Sequence, residues 1–176
     1  SFWAQKEGIA PDKVFSVAIM PCTAKKFEAA RPEMSRNGVP DVDAVLTTRE
    51  LARLIRLRGV QLDRLEPRGQ DTPFGRRSTA GKLFGATGGV MEAAVRTAHW
   101  MLTGRDMEKP ELKPLRGMSG CKEAAVEVDG VKLNVAVVSG LSNARKLLDD
   151  VIAGRREVHF IEVMTCPGGC IGGGGQ

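Results

Sequence analysis

Two cysteines lie close together near the end of the chain in EVMTCPGGCIGGGGQ, residues 162–176: Cys166 and Cys170, with Pro167, Gly168 and Gly169 between them. Thiolates are nucleophiles and soft metal ligands. Four chemistries compete for this pair. An incidental surface turn does not account for the surrounding glycines, at 168, 169 and 172–175. A redox disulfide of the thioredoxin kind has two residues between its cysteines and opens a helix, which Pro-Gly-Gly does poorly. Zinc takes four ligands, usually as short Cys or His pairs; His99 falls in a helical segment and His159 along a strand, and both read as structural histidines. An iron–sulfur cluster fits best. Clusters collect thiolates from separated segments, and glycines let the backbone approach a bulky anionic body and aim N–H groups at its sulfur.

Cys22 is a separated donor of that kind, in MPCTAKKFEAARPEM, residues 20–34. Lys25 follows three residues on, with Lys26 beside it. A cation there offsets the charge of a thiolate-ligated cluster or donates to an anionic ligand; the plainer reading is a pair of solvated helix charges. Cys121, in RGMSGCKEA, has no comparable setting and reads as a free structural thiol.

Particular elements must position these donors. KVFSVAIMPC (13–22) predicts a buried strand delivering Cys22 at its carboxyl end, and VDAVLTT (42–48) a second strand. RELARLIRLRG (49–59) has helical spacing and a stop at Gly59. Residues 61–82 predict a long loop. A helix begins near Gly89 and runs through VMEAAVRTAHWMLTG, and Asp129-Gly130 between alternating apolar residues predicts a hairpin. LSNARKLLDDVIAG predicts an amphipathic helix with Ser142 as candidate cap; VHFIEVM (158–164) predicts a last strand running into the cysteine loop. The alternation predicts an α/β layered domain, with a mostly parallel or mixed sheet flanked by helices. The cluster site is expected at strand carboxyl ends, between lobes. FGATGGV, which opens a helix, lacks the P-loop and dinucleotide patterns and reads as pocket wall and helix start.

The 176 residues are one ordinary domain by length, and a 42% hydrophobic, 27% charged composition is that of a globular protein. The net charge of +5 is spread along helical segments with no basic run or aromatic platform, so no nucleic-acid partner is expected. No stretch approaches the ~18 apolar residues of a membrane span. A cytoplasmic protein is expected, with a periplasmic one left open because the N-terminus reads as missing: SFWAQKEG starts inside a helical segment.

MPCTAKKFEAARPEM, TTRELARLI, FGATGGVMEAAVRTA and IEVMTCPGGCIGGGGQ together resemble the catalytic domain of [FeFe]-hydrogenases, in order and spacing and across essentially the whole chain. The resemblance implies that residues 1–176 are a partial H-cluster domain, truncated at both ends. The activity implied is reversible reduction of protons to H2. The implied cofactor is a [4Fe-4S] cluster joined to a diiron subsite that carries CO, CN⁻ and a bridging dithiolate. On this resemblance Cys22, Cys166 and Cys170 are metal ligands, with Cys170 also bridging to the diiron unit. Lys25 matches the lysine that hydrogen-bonds a cyanide; Met20, Pro21, Phe84, Gly85 and Met164 match pocket residues. Implied partners are ferredoxin or another low-potential electron carrier and the H-cluster maturation proteins. Two departures stand out. The family's adjacent-cysteine motif, which supplies a proton relay and the fourth cubane ligand, is absent, so the excerpt alone is expected to be inactive. Thr165 stands where the family usually has alanine. Rival readings are a non-catalytic relative (an iron–sulfur assembly factor or a hydrogen sensor) and a cubane-only electron-transfer domain; the last is disfavoured because ~140 residues separate Cys22 from Cys166.

Overall fold

The computed structural model describes residues 2–72, 75, 80–107 and 120–176. The chain forms two compact units, Ser1–Arg77 with Gly173–Gln176, and Ser78–Gly172.

The first unit contains α1 (Phe2–Lys6), β1 (Val17–Ile19), α2 (Ala24–Ala29), β2 (Ser35–Arg36), β3 (Val39–Pro40), β4 (Ala44–Leu46) and α3 (Thr48–Leu57). β1 and β4 pair in parallel, Val17 opposite Ala44 and Ile19 opposite Leu46. The expected burial of the first strand is not found: Val17 and Ile19 are 47% and 50% exposed, on a face of the two-stranded sheet that no described layer of this unit covers. β2 and β3 form a small hairpin through Asn37-Gly38, both at positive φ, the conformation that an Asn-Gly hairpin turn demands. That signal, in SRNGVP, escaped the sequence reading. α3 begins with a reciprocal cap. The Thr47 side chain accepts from the Glu50 N–H at 3.2 Å, while the Glu50 carboxylate accepts from the Thr47 N–H at 2.8 Å, satisfying two N–H groups that a helix start otherwise leaves open. The expected loop over 61–82 contains a 3-10 turn at Leu62–Arg64, and its end is already α4 (Ala80–Leu83); residues 73–74 and 76–79 of it lie outside the described residues.

The second unit holds α4, α5 (Gly89–Thr103), β5 (Cys121–Val128), β6 (Val131–Ser139), α6 (Leu141–Ile152) and β7 (Phe160–Met164). The hairpin expected at Asp129-Gly130 joins β5 to β6 antiparallel, and β7 lies parallel to β6 on its other side. Alternate residues of β6 feed two cores, as the two-residue period of a strand requires. Val135 and Val137 pack with Val126, Val128 and the α5 residues Met91 and Val95. Ala136 and Val138 pack with Ala144 and Leu147 of α6. Val128, Val135, Val137, Val138 and Met91 are the largest fully buried side chains, each contributing about 1.5–3 kcal/mol relative to exposure. The Ser142 cap is corrected: the residue before α6 is Gly140, at φ 84, which has no side chain with which to cap the helix. Ser142 sits within the first turn, and Asn143 Nδ2 instead donates to the Ser139 carbonyl at 2.8 Å.

Candidate functional site

Cys22 belongs to the first unit, Cys166 and Cys170 to the second. All three thiols are free and half-buried, and each segment follows a strand that pairs in parallel, as the expected α/β layout requires.

In the first unit the Met20 N–H extends the β1–β4 pairing by donating to the Leu46 carbonyl at 2.9 Å. Pro21, Cys22 and Thr23 then lead into α2. The glycine tail closes on this turn. Gly175 donates its N–H to the Pro21 carbonyl at 2.8 Å, and the Arg49 N–H donates to the Gly175 carbonyl at 3.1 Å. A Cβ on Gly175 would lie 2.6 Å from Thr47 Cγ2 and 2.9 Å from the Pro21 oxygen. The two lysines, equivalent in the sequence, part company here. Lys26 Nζ bonds the Glu50 carboxylate at 2.8 Å and the Val45 carbonyl at 2.9 Å, a structural tie between α2 and the start of α3. The Lys26 hydrogen bond, with the Thr47 N–H behind it, lowers the Glu50 carboxyl to about 2. Lys25 Nζ pairs with Glu28 at 2.5 Å. With Met20, Lys25 borders a cleft of about 330 Å³ walled by Ala18, Ala29, Met34, Val42 and Val45.

In the second unit β7 delivers Met164, Thr165 and Cys166 in sequence. The loop then folds on itself, Gly169 N–H donating to the Cys166 carbonyl at 3.1 Å, and Cys170–Gly172 form a 3-10 turn. Two hydrogen bonds join it to the segment ahead of α5: Thr87 N–H to the Gly168 carbonyl at 3.1 Å and Ile171 N–H to the Gly85 carbonyl at 3.0 Å. Gly85, one of the sequence-predicted pocket residues, is thereby brought against the cysteine loop; its neighbour Phe84 is 48% exposed. Met164 accepts from the Gly140 N–H at 2.7 Å. Glu162, buried on β7, accepts from the Gly88 N–H and the Met91 N–H, both at 2.7 Å. Sequence reading missed it; the available signal was a lone acid in an otherwise apolar strand.

The glycines have a different account from the one the sequence suggested. A Cβ on Gly169 would sit 2.7 Å from the Gly85 oxygen and the Thr87 nitrogen, and one on Gly172 would sit 2.5 Å from the Pro167 oxygen. Gly169 and Gly172 are bare because protein backbone fills the space, and Gly175 because the Thr47 side chain and the Pro21 carbonyl do. Gly168, at φ 80, alone among the loop's glycines in the second unit has nothing within 4 Å of a Cβ, so open room lies there.

Other candidates resolve as structural. Cys121 is exposed as a residue, yet partial desolvation and the Glu123 carboxylate push its thiol up, with Arg156 opposing, so it is poorly suited to act as a thiolate. His99 Nδ1 meets the Arg105 carbonyl at 3.0 Å, and His159 Nδ1 accepts from the Asn134 N–H at 3.0 Å. Among the described residues no three His, Cys, Asp or Glu side chains converge on a point suited to a single metal ion. A cluster differs from such an ion in spreading its thiolates around a larger body. Free thiols at strand ends, with open backbone at Gly168, are donors of the kind iron takes, and the residues present fit an iron–sulfur group.

The α/β fold, with thiols just past the ends of parallel strands, agrees with the resemblance read from the sequence. The profile of the iron-only hydrogenase large subunit, C-terminal domain, matches residues 1–174, and the chain belongs to that family. Iron hydrogenase 1 of Clostridium pasteurianum is 47% identical over 176 residues, covering all of this chain and 31% of the relative. The periplasmic [Fe] hydrogenase large subunit of Nitratidesulfovibrio vulgaris is 45% identical over all of this chain and 42% of its own length. Cytosolic iron-sulfur assembly component 3 of Mus musculus is 38% identical over 99% of this chain and 38% of the relative. A solved apo [FeFe]-hydrogenase from Chlamydomonas reinhardtii superposes with a TM-score of 0.76 at 39% identity, covering all of this chain and 52% of that one. The chain thus spans less than half the length of these curated relatives. Among the described residues no helix is long and apolar enough to cross a membrane.

Proposed function

We propose that the chain is part of the H-cluster domain of an [FeFe]-hydrogenase, reversibly reducing protons to H2. The observation that carries the reading is the Cys166–Cys170 loop: two free thiols on a backbone bonded to Gly85 and Thr87. The relatives named as hydrogenases, at 45–47% identity against 38% for the assembly component, favour the enzyme over the assembly factor.

In this reading Cys22, Cys166 and Cys170 would hold a [4Fe-4S] cluster, and Cys170 would also serve as the thiolate ligand shared with a diiron unit bearing CO, CN⁻ and a dithiolate. When bound, that cofactor supplies the iron and electrons at which protons become H2. The protein's part is ligation, orientation and exclusion of water. Lys25 offers an ammonium to a cyanide, with Glu28 as its present partner. Met20, Pro21, Phe84, Gly85 and Met164 supply mostly apolar walls, which keep water from metal-bound CO. Residues 1–176 contain no adjacent cysteine pair, so the fourth cubane thiolate and the relay thiol come from another segment. Electrons arrive from a low-potential carrier such as ferredoxin, and maturation proteins install the diiron unit.

The second reading, a non-catalytic relative, draws on the 38% likeness to the assembly component. Infrared spectroscopy of the protein containing this chain, produced with the maturation machinery, separates the two. CO and CN⁻ bands together with H2 evolution from a reduced dye support the enzyme. Absent bands sink it; bands without turnover leave a sensor. Cys170→Ser should abolish the bands and H2 turnover while cubane iron largely persists, and full turnover in that variant would rule out its bridging role.

A further inference from the structure

α5 starts without a cap of its own. The residue before it is Gly88, at φ 79, which has no side chain with which to cap the helix. In a reciprocal cap the side chain ahead of the helix takes the N–H of the third helical residue, and that residue's side chain returns to the N–H ahead of the helix. Met91 occupies the third position. Its side chain is fully buried in the core and has no oxygen to return. Glu162 performs both halves from 74 and 71 residues away, one carboxylate oxygen taking the Gly88 N–H and the other the Met91 N–H, each at 2.7 Å.

This placement follows from register. Glu162 pairs with Val137 across β6 and β7, so its side chain lies on the Val137 face, against which α5 packs. It is 4% exposed. A buried carboxylate is costly unless its lone pairs are met, and the N-terminus of a helix is where backbone donors and the helix dipole meet it best. Two residues beyond Glu162, β7 ends; two further on stands Cys166. One residue before Gly88, the Thr87 N–H holds the Gly168 carbonyl, and Gly85 holds the Ile171 N–H. The carboxylate therefore ties together both strands of backbone that form the cysteine loop's seat.

We propose that Glu162 is the positioning residue of the Cys166–Cys170 loop. It fixes the start of α5, and through Gly85 and Thr87 it fixes the loop that presents the thiols. The assignment rests on the reading of those thiols as cluster ligands only for its consequence, iron retention; the link from Glu162 to the loop stands on hydrogen bonds alone.

Hydrogen–deuterium exchange on the full chain, without iron, reads that link. In Glu162→Ala the amides of Thr87, Gly88, Met91 and Ile171 should exchange about tenfold faster, the equivalent of one buried hydrogen bond lost. Glu162→Gln keeps one accepting oxygen and should fall between. The control is Leu147→Ala, which hollows the opposite face of the sheet and destabilises the fold without touching the loop. Global destabilisation speeds every amide that opens by full unfolding, so each rate is read against the core amides of β6, and on that scale Leu147→Ala should leave the four amides within about twofold of wild type. If Leu147→Ala accelerates the same amides equally, or if Glu162→Ala spares Thr87 and Ile171, the positioning role is overturned. Reconstitution with ferrous iron and sulfide reads the consequence: Glu162→Ala should retain less iron per chain than Leu147→Ala at a temperature where both remain folded, and equal retention overturns it. If the wild-type protein containing this chain, with its upstream cysteine segment, takes up no iron, the cluster-ligand reading fails, while the exchange comparison still decides the role of Glu162.

Discussion

The starts of α3 and α5 meet the same need by different means. Each receives a cysteine-bearing segment through glycine backbone: the Arg49 N–H holds Gly175, which holds Pro21 beside Cys22, and the Thr87 N–H holds Gly168 between Cys166 and Cys170. At α3 the open N–H groups are met locally by Thr47 and Glu50. At α5 they are met by a strand distant in sequence. A local cap makes a helix start self-sufficient, so its loss is confined to one turn. A distant cap makes the helix, the strand and whatever hangs from both into one mechanical body.

Substitutions can break that comparison. The largest effect is expected at Gly169, where a methyl would enter the 2.7 Å gap to Gly85 and Thr87 at φ 97. Gly169→Ala should cost about 3 kcal/mol or more in denaturant unfolding. Gly168→Ala, with open space but φ 80, should cost only the backbone penalty of about 1 kcal/mol. Equal losses would mean the loop is not seated on the 85–87 backbone. On the α3 side, Thr47→Ala should cost about 1 kcal/mol, the ordinary value of an N-cap, read by urea unfolding; a much larger loss would show that this start is also wired into distant structure. The smallest effect is electrostatic. Glu50 is held down to about 2 from an ordinary 4.5, first by Lys26 and then by the Thr47 N–H. A depressed carboxyl stabilises the fold above its unfolded value, and that contribution fades as pH falls from about 4.5 toward 2. Lys26→Met should move the Glu50 titration upward, as NMR would record, and flatten stability across that window. An unmoved titration would deny the ion pair its role.

What the sequence disclosed follows the same division. Helix α3 and the Asp129-Gly130 hairpin are written in neighbouring residues, and so were legible. Cys22 and Cys166 were placeable just past strand ends because apolar β-branched runs precede them. Lys25 and Lys26 were not separable, since the difference is which of them meets Glu50 and Val45 after α2 forms. Ser142 was a reasonable cap by type and wrong by two residues, because Gly140 enters α6 at a positive φ that lets the Gly140 N–H reach Met164 instead. Glu162 was invisible as a cap because nothing within several residues of Gly88 points to it. The glycines were read by composition as space for a ligand; at 169 and 172 the occupant is backbone, at 175 it is the Thr47 side chain with the Pro21 carbonyl, and only contact distances reveal it.

The Glu162 bond also sets an order of events. Thr47 and Glu50 sit within one turn and can find each other on the sub-microsecond timescale of helix nucleation. The first turn of α5 must wait for a residue 71 positions later, a closure with the entropic cost and slow formation of high contact order. In a nascent chain the bonds from Glu162 to the start of α5 can close only once β7 has been made, so the seat of the Cys166–Cys170 loop is completed late by topology.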